Sequence, residues 1–330
     1  MTRRTGDAAT SGCATARAAG LLAGVAADAL IGDPQHGHPV ALFGRVARTL
    51  EDRMYAARRA RGSAFATAAI SPAIVPVAVA SRAVRGRPAP QAALTATATW
   101  AVLGARSLIR EANGIRVALE AGDLATAREL LPRLCGRDPD GLGEAGIARA
   151  VVESIAENSS DAIVAPLVWG GLAGPSGLIA YRAVNTLDAM VGHHSPRYEE
   201  FGWASARLDD VANWLPARLT AVLAAACSPV VGGRPDTTLR IAREYGPRHP
   251  SPNAGWCEAA FAGALGVRLG GSLSYSGRTE HRPELGTGPW PVTADIARAA
   301  VLCRAVKAAA AALTAAVAAG SASRLRCGRG

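Results

Sequence analysis

Long stretches almost free of charge alternate along this chain with blocks dense in arginine, aspartate and glutamate. Four apolar stretches, 14–31, 64–84, 89–109 and 299–320, have the length and composition of membrane-spanning helices. The second carries Pro72 and Pro76, the third Trp100, and the fourth Arg304 and Lys307. Two further apolar stretches are interrupted. Segment 163–180 holds Pro166, Gly170, Gly171, Gly174, Pro175 and Gly177, and segment 215–233 holds Pro216, Arg218, Pro229 and a double glycine. Lipid cannot satisfy the N–H and C=O groups freed by such breaks, so both segments are expected to be re-entrant or packed inside the protein. The polar blocks read as amphipathic helices and loops. In 111–149, Asp123 is placed as an N-cap, with Leu124, Ala127, Leu130 and Leu131 along one face. Block 234–291, rich in Gly and Pro, reads as irregular loops around short helices. The pattern predicts an all-α fold: a multi-pass helical membrane protein with broken or re-entrant helices and amphipathic cytoplasmic helices. A soluble all-α protein with an Ala-rich core is the competing reading. Stretch 14–31 runs into Gly-Asp-Pro without a cleavage context, so it reads as a retained first helix rather than a secretory signal.

Composition favours the membrane reading. Hydrophobic residues make up 49% and charged residues 19% of the chain, against the roughly 25% charged residues of a soluble domain. The net charge is +10, and Lys307 is the sole lysine. The arginines are dispersed beside apolar segments and form no aromatic-interleaved stripe, which argues against nucleic acid as a partner. Arg45, Arg48, Arg53, Arg58, Arg59 and Arg61 cluster after the first apolar stretch, a bias that points to the cytoplasm. The six cysteines (Cys13, Cys135, Cys227, Cys257, Cys303 and Cys327) include no C-x-x-C pair. Neither a disulfide framework nor a metal knuckle is expected.

The candidate chemistry concentrates in 150–218. Glu153 and Glu157 share a helical face with Asp161 a turn beyond, and like charges so spaced call for a cation. The simplest is Mg²⁺ on a nucleotide; a solvated acidic face is the alternative. Arg182, Asn185 and Asp188 recur every three residues, which suits a grip on phosphate, or else an internal Arg–Asp bridge. Farther on, Arg207, Asp210 and Arg218 bracket Asp209 and Asn213. Outlying candidates are Asp33, His38 and Arg45 after the first helix, then Asn158, Asn253, Trp256, Tyr275 and Arg282. His193 and His194 have no partner at zinc-site spacing. The single lysine excludes a conventional P-loop, and no dinucleotide fingerprint, nucleophile elbow or H-E-x-x-H is present. Any nucleotide site must therefore be built from carboxylates, Asn and Arg.

The runs R-D-P-D-G-L, E-S-I-A-E-N-S-S-D-A-I-V-A-P-L, Y-R-A-V-N-T-L-D-A-M-V-G, F-G-W-A-S-A-R-L-D-D-V-A-N-W-L-P-A-R and S-P-N-A-G-W closely resemble the CobD/CbiB family, the adenosylcobinamide-phosphate synthases of cobalamin biosynthesis. So do G-D-P-Q-H-G-H-P-V, and Y-S-G followed by R-P-E-L-G, in consistent order over roughly residues 20 to 320. The resemblance implies one membrane domain over 1–330, multi-pass in the cell membrane, with its active site facing the cytoplasm. It implies ATP-dependent ligation of adenosylcobyric acid to (R)-1-amino-2-propanol or its O-phosphate, with Mg²⁺ as cofactor. Other late cobalamin-assembly proteins are conceivable partners. Under that resemblance Glu153, Glu157, Asp161, Asp188, Asp209 and Asp210 are the catalytic candidates, with Glu157, Asp161 and Asp188 as the candidate Mg²⁺ ligands. Arg182, Arg207, Arg218 and Arg282 would hold phosphates or corrinoid carboxylates, oriented by Asn158, Asn185, Asn213 and Asn253. A membrane transporter for an anionic solute is the alternative from another class, although the chain shows no inverted repeat.

Overall fold

The computed structural model describes residues 3–32, 38–193, 195–275 and 278–327. Asp33 and His194 lie outside them, as does the side chain of Tyr275. The chain divides into two compact units. Unit one takes 1–104, 165–212 and 310–330, and unit two takes 105–164 and 213–309. The polar block 150–218 is thus shared between them.

In unit one, α1 (Arg3–Leu30) contains the first predicted stretch and packs on α4 (Pro88–Val102). Small residues allow that approach: Gly20 and Gly24 face Thr95 and Thr99. Helix α2 (Pro39–Met54) begins at His38, whose Nδ1 accepts the Val40 N–H at 3.1 Å. Helix α3 (Arg59–Ala83) runs through Pro72 and Pro76 without interruption. Phe65 of α3, Ala47 of α2 and Phe201 form a buried core, with Phe65 and Phe201 rings 5.0 Å apart.

Helix α8 (Ala165–Leu187) resolves the first interrupted stretch. Gly174 takes φ 68°, ψ −153°, and Pro175 follows. A straight helix would separate residues eight apart by about 12 Å. Instead, a Cβ on Gly177 would lie 2.3 Å from the Trp169 carbonyl oxygen, and one on Gly170 would lie 2.9 Å from the Leu178 side chain. The two halves therefore fold back on each other as a tight hairpin, and only glycine fits where they touch. Trp169 Nε1 donates to the Ala212 carbonyl at 3.0 Å, tying one half to the chain beyond.

Unit two holds α5 (Ala105–Glu120), α6 (Leu124–Leu130), α7 (Glu144–Ser159), α10 (Pro235–Tyr245) and α11 (Ala254–Leu265). The predicted third stretch, 89–109, is not one helix: extended Leu103 and Gly104 separate α4 from α5. Asp123 caps α6 as expected, accepting the Thr126 N–H at 3.0 Å. The second interrupted stretch, 215–233, does break, but at its later proline and double glycine rather than at Pro216. Helix α9 (Trp203–Cys227) passes Pro216 and Arg218 unbroken, and the break comes later, in a 3₁₀ turn at Ser228–Val231 closed by left-handed Gly232. Its first-turn side of Pro216 is already helical, so the ring removes one hydrogen bond without ending the helix. Block 234–291 is more regular than its composition suggests. Beyond α10 and α11 it forms an antiparallel hairpin, β1 (Leu269–Tyr275) with β2 (Arg278–Leu285), the one strand pair among the described residues. Helix α12 (Thr293–Cys327) contains the last predicted stretch.

Five helical stretches among the described residues are long and apolar enough to cross a membrane: Arg59–Ala83, Pro88–Glu120, Glu144–Gly192, Trp203–Val231 and Thr293–Gly320. They differ in how much protein covers them. Only 17% of the most apolar window of Arg59–Ala83 is buried, against 72% for Glu144–Gly192. The first therefore offers its surface to lipid, and the second is enclosed by protein. Replacing Gly177 with leucine should break the hairpin, because the obstructing atom is backbone and cannot swing away. Overpacking typically costs about 1–3 kcal/mol, so the melting temperature in detergent should fall clearly. Leu172→Ala, an exposed position in the same hairpin, should leave melting unchanged.

Candidate active site

Unit two gathers a set of carboxylates and arginines around α7 and α11. Residues 151–156 of α7 are buried, Glu153 among them at 3% exposure. An ionised carboxylate survives such burial only when paired and hydrogen-bonded. Glu153 meets both needs: Arg137 Nη2 donates to its Oε2, and the Gly270 N–H donates to Oε1 at 2.6 Å. Gly270 takes φ +83°, and a Cβ there would meet the Pro283 carbonyl oxygen at 2.2 Å, so β1 can approach only as glycine. The Gly270 carbonyl in turn accepts from Arg149 Nη1 at 2.8 Å, and the Arg149 guanidinium lies 4.9 Å from the Trp290 ring centre. Ser154 Oγ fastens the preceding loop by donating to the Leu134 carbonyl at 3.0 Å.

One turn beyond Glu153, Glu157 reaches open space from this otherwise buried stretch. The α-helix then widens into a π turn, Ser160–Val164, which carries Asp161. Such turns recur at functional sites because they re-aim side chains. Glu258, 3% exposed on α11, stands within electrostatic reach of Glu157, Arg137 and Arg282. Burial first, and then the Glu157 charge, push its carboxyl up to about 8 against the pull of Arg137 and Arg282. His249 Nε2 is 3.9 Å from Glu258 Oε1 and 3.4 Å from Arg282 Nη1. The neighbouring Cys257 is a buried free thiol pushed well above its usual range, mainly by burial and then by Asp161.

The start of α11 and the middle of α9 bring together the second group of expected residues. Arg218 Nη1 donates to Asn253 Oδ1 at 3.2 Å and Nη2 donates to the Pro252 carbonyl at 3.3 Å. Its guanidinium lies 4.4 Å from the Trp214 ring centre and 5.0 Å from that of Trp256. A cation held between two indoles keeps its charge while losing its freedom. Asn213 is buried at 1% exposure on the same helix as Arg218.

Unit one holds the remaining expected residues. Arg182 Nη1 approaches Asn185 Oδ1 at 3.5 Å, and Asn185 Nδ2 donates to Asp209 Oδ1 at 3.3 Å. Arg207 pairs with Asp210 at 3.3 Å on an exposed surface, where such a pair contributes little to stability. Asp188 sits in a second π turn, Asp188–Gly192, with its carboxylate folded against Gly192. His38 serves as the cap of α2, and Arg45 is exposed on that helix. Asn158 donates back to the Ser154 carbonyl of its own helix at 2.9 Å. Asp33 falls outside the described residues; Tyr275 is placed only as the β1 residue opposite Arg278.

Sequence reasoning did not single out Arg137, Arg149, His249, Trp214 or Trp290, and it left Glu258 outside the catalytic set. Arg137 opens the R-D-P-D-G-L run, so its signal was present. Arg149 and Trp290 have no motif and could be found only through the chain's return at β1. Among the described residues, no three His, Cys, Asp or Glu side chains converge as a metal site.

A sequence profile described as "CobD/Cbib protein" matches residues 21–303. The cobalamin biosynthesis protein CobD of Mycobacterium tuberculosis (strain ATCC 25618 / H37Rv) is 52% identical over 297 residues, covering 90% of this chain and 94% of that protein. The protein of the same name from Rhodobacter capsulatus is 44% identical over 272 residues, covering 81% of this chain and 85% of the relative. That of Geobacter metallireducens is 40% identical over 289 residues, with 85% and 90% covered. No solved structure matches. The profile and the relatives each span most of the length, and the chain belongs to the CobD/CbiB family.

Proposed function

We propose that this protein acts in cobalamin biosynthesis as an adenosylcobinamide-phosphate synthase. It would join the free propionate carboxylate of adenosylcobyric acid to (R)-1-amino-2-propanol or its O-phosphate, with ATP hydrolysed to ADP and phosphate. The observation that carries this reading is the cluster of Glu153, Glu157 and Glu258 with Arg137 and Arg282, all but Glu258 drawn from the runs that carry the family resemblance.

A carboxylate is a poor electrophile until one oxygen leaves as phosphate. In the proposed reaction a propionate oxygen attacks the γ-phosphorus, ADP departs, and an acyl phosphate results. The amine nitrogen then attacks the acyl carbon, phosphate leaves, and the amine proton must be accepted. Glu157, with an exposed side chain beside the buried Glu258, is the residue we assign to that proton. Arg282 and Arg218 supply charge for phosphate oxygens, and Asn253 and Trp256 fix Arg218 in place. Glu153, with both oxygens engaged by Arg137 and Gly270, is assigned to positioning.

Mg²⁺ fits this donor set as a nucleotide-borne ion, since it takes one or two carboxylates and completes its shell with phosphate and water. Glu157 and Asp161, both within electrostatic reach of Cys257, would hold it; bound, it would neutralise phosphate charge. ATP is cytoplasmic, so the site is assigned to the cytoplasmic face of the cell membrane.

Restored growth on cobyric acid, in a strain lacking the aminopropanol-attachment step, tests the reaction; failure of the well-expressed protein to restore it would remove the reading. Glu157→Gln should lower ligation about 10²-fold or more while leaving membrane insertion and melting intact. Arg137→Leu should act oppositely: leaving Glu153 buried without its partner costs about 3–5 kcal/mol, read as a lowered melting temperature. Stability should also report the Glu258 proton. Its carboxyl is raised in the folded protein, so its contribution is complete below the ordinary carboxyl range and is lost as pH rises through about 8. The metal- and nucleotide-free protein should therefore melt lower at pH 9 than at pH 7, and Glu258→Gln should flatten that difference.

A further inference from the structure

Helix α2 closes one end of unit one. On its inner face, Phe43, Ala47, Leu50 and Met54 join a core with Phe65 and Ala66, early in α3, and with Leu187, at the end of α8. The close of α4 is at the same end, where Trp100 Nε1 donates to the Gly32 carbonyl at 2.9 Å just ahead of α2. A helix that touches α3 near its start, and α8 and α4 near their ends, lies across the bundle rather than along it.

The outer face mixes two kinds of side chain. Leu42 and Val46 are more than half exposed, as are Leu30 and Ile31 where α1 closes. Arg45 and Arg53 share that outer face, and Arg58 and Arg61 follow in the turn into α3, all four exposed. None of the four is paired with an acid among the described residues. Of the acids nearby, Glu51 is engaged by Arg197 and Tyr198, and Glu200 by Arg59. A helix with apolar side chains set among arginines on its free face is suited to the boundary between headgroups and acyl chains. Two further observations fix its level. Helix α3 starts at Arg59 and is the span least covered by protein, so lipid begins within its first turns. Trp203 is partly exposed with its ring centre 5.4 Å from the Arg59 guanidinium, and Tyr55 and Tyr198 stand at the same end. Such aromatic residues mark the headgroup layer.

We propose that α2 lies in the membrane interface and binds anionic phospholipid, with Leu42 and Val46 among the upper acyl chains and Arg45, Arg53, Arg58 and Arg61 on the headgroups. Charge complementarity selects this occupant, because six arginines stand against two acids between residues 45 and 61. A guanidinium grips a phosphate through two parallel N–H groups. In a zwitterionic lipid the headgroup's own cation competes for that phosphate, whereas a net anionic headgroup leaves it to the protein. The inference does not rest on the ligase reading.

Native mass spectrometry of the purified full-length protein tests this, after equilibration in detergent micelles holding equal amounts of phosphatidylglycerol and phosphatidylcholine. Retained phosphatidylglycerol should exceed phosphatidylcholine by about tenfold or more. Arg45→Gln combined with Arg53→Gln should remove most of that excess. Arg85→Gln combined with Arg87→Gln, at exposed positions beyond the far end of α3, should leave it in place. In nanodiscs, the fluorescence added by Leu42→Trp should be quenched by phosphatidylglycerol brominated on its acyl chains and not by iodide in the water. A preference that both arginine pairs reduce alike would be unlocalised charge attraction. Fluorescence from Leu42→Trp that iodide quenches would leave the face in water, and fluorescence shielded from both quenchers would place a second copy of the chain on it. Any of these results, or the absence of a lipid preference, overturns the proposal. None of the readouts involves ligation, so the outcome is separate from that of the ligase proposal.

Discussion

The arrangement of unit two depends on keeping one carboxylate charged where water does not reach. Glu153 lies in a run of α7 that is otherwise apolar and buried, and ionising it there unaided would cost several kcal/mol. Arg137 and the Gly270 N–H offset that cost from two different directions. Each brings a segment with it. The loop before α7 is held in place to present Arg137, and the β-hairpin is drawn in to present Gly270. A hydrophobic residue of similar volume could fill the same space, but it could not specify which two segments must meet. Here the ion pair acts as a registry device for three pieces of chain that apolar packing alone would leave interchangeable.

The cluster that results has graded exposure. Glu153 is enclosed and fully engaged, Glu258 is enclosed with a raised proton affinity, and Glu157 is open. Acid–base chemistry needs carboxylates whose environments differ, because two identical ones would titrate together and offer no direction for a proton. The fold supplies that difference by placing the three on successive turns of α7 and on the adjoining α11.

Much of this was legible in the sequence, and the limits have physical causes. The apolar helices over 64–84 and 299–320 and the α6 cap follow from local pattern and formed as read, whereas 89–109 is divided at Leu103–Gly104 and 14–31 is not among the helices long and apolar enough to span. Gly174-Pro175 announced a break because no side chain tolerates that backbone conformation. Pro216 misled for the same kind of reason: proline is a breaker on average, yet a long helix survives the loss of a single hydrogen bond. Hairpin β1–β2 was hidden by its glycines, which usually weaken strands and here permit close approach. Arg149, His249 and Trp290 join the site through contacts between distant segments, and a one-dimensional pattern carries no record of those. Asp188, Arg182 and Asp209 were recognised by spacing, and spacing says nothing about which unit receives them.

The alternation of the two units along the chain has a consequence for biogenesis. Unit one begins with the first helices but includes 310–330, and unit two needs 213–309 to enclose 105–164. Neither can close as its residues leave the ribosome. The early helices must wait in the bilayer, with α1 and α4 already paired through their small residues, until most of the chain has been made. Glu153 would spend that interval in an apolar helix without its Gly270 donor. The nascent protein therefore passes through a stage in which a carboxylate enclosed in the finished fold is only half compensated.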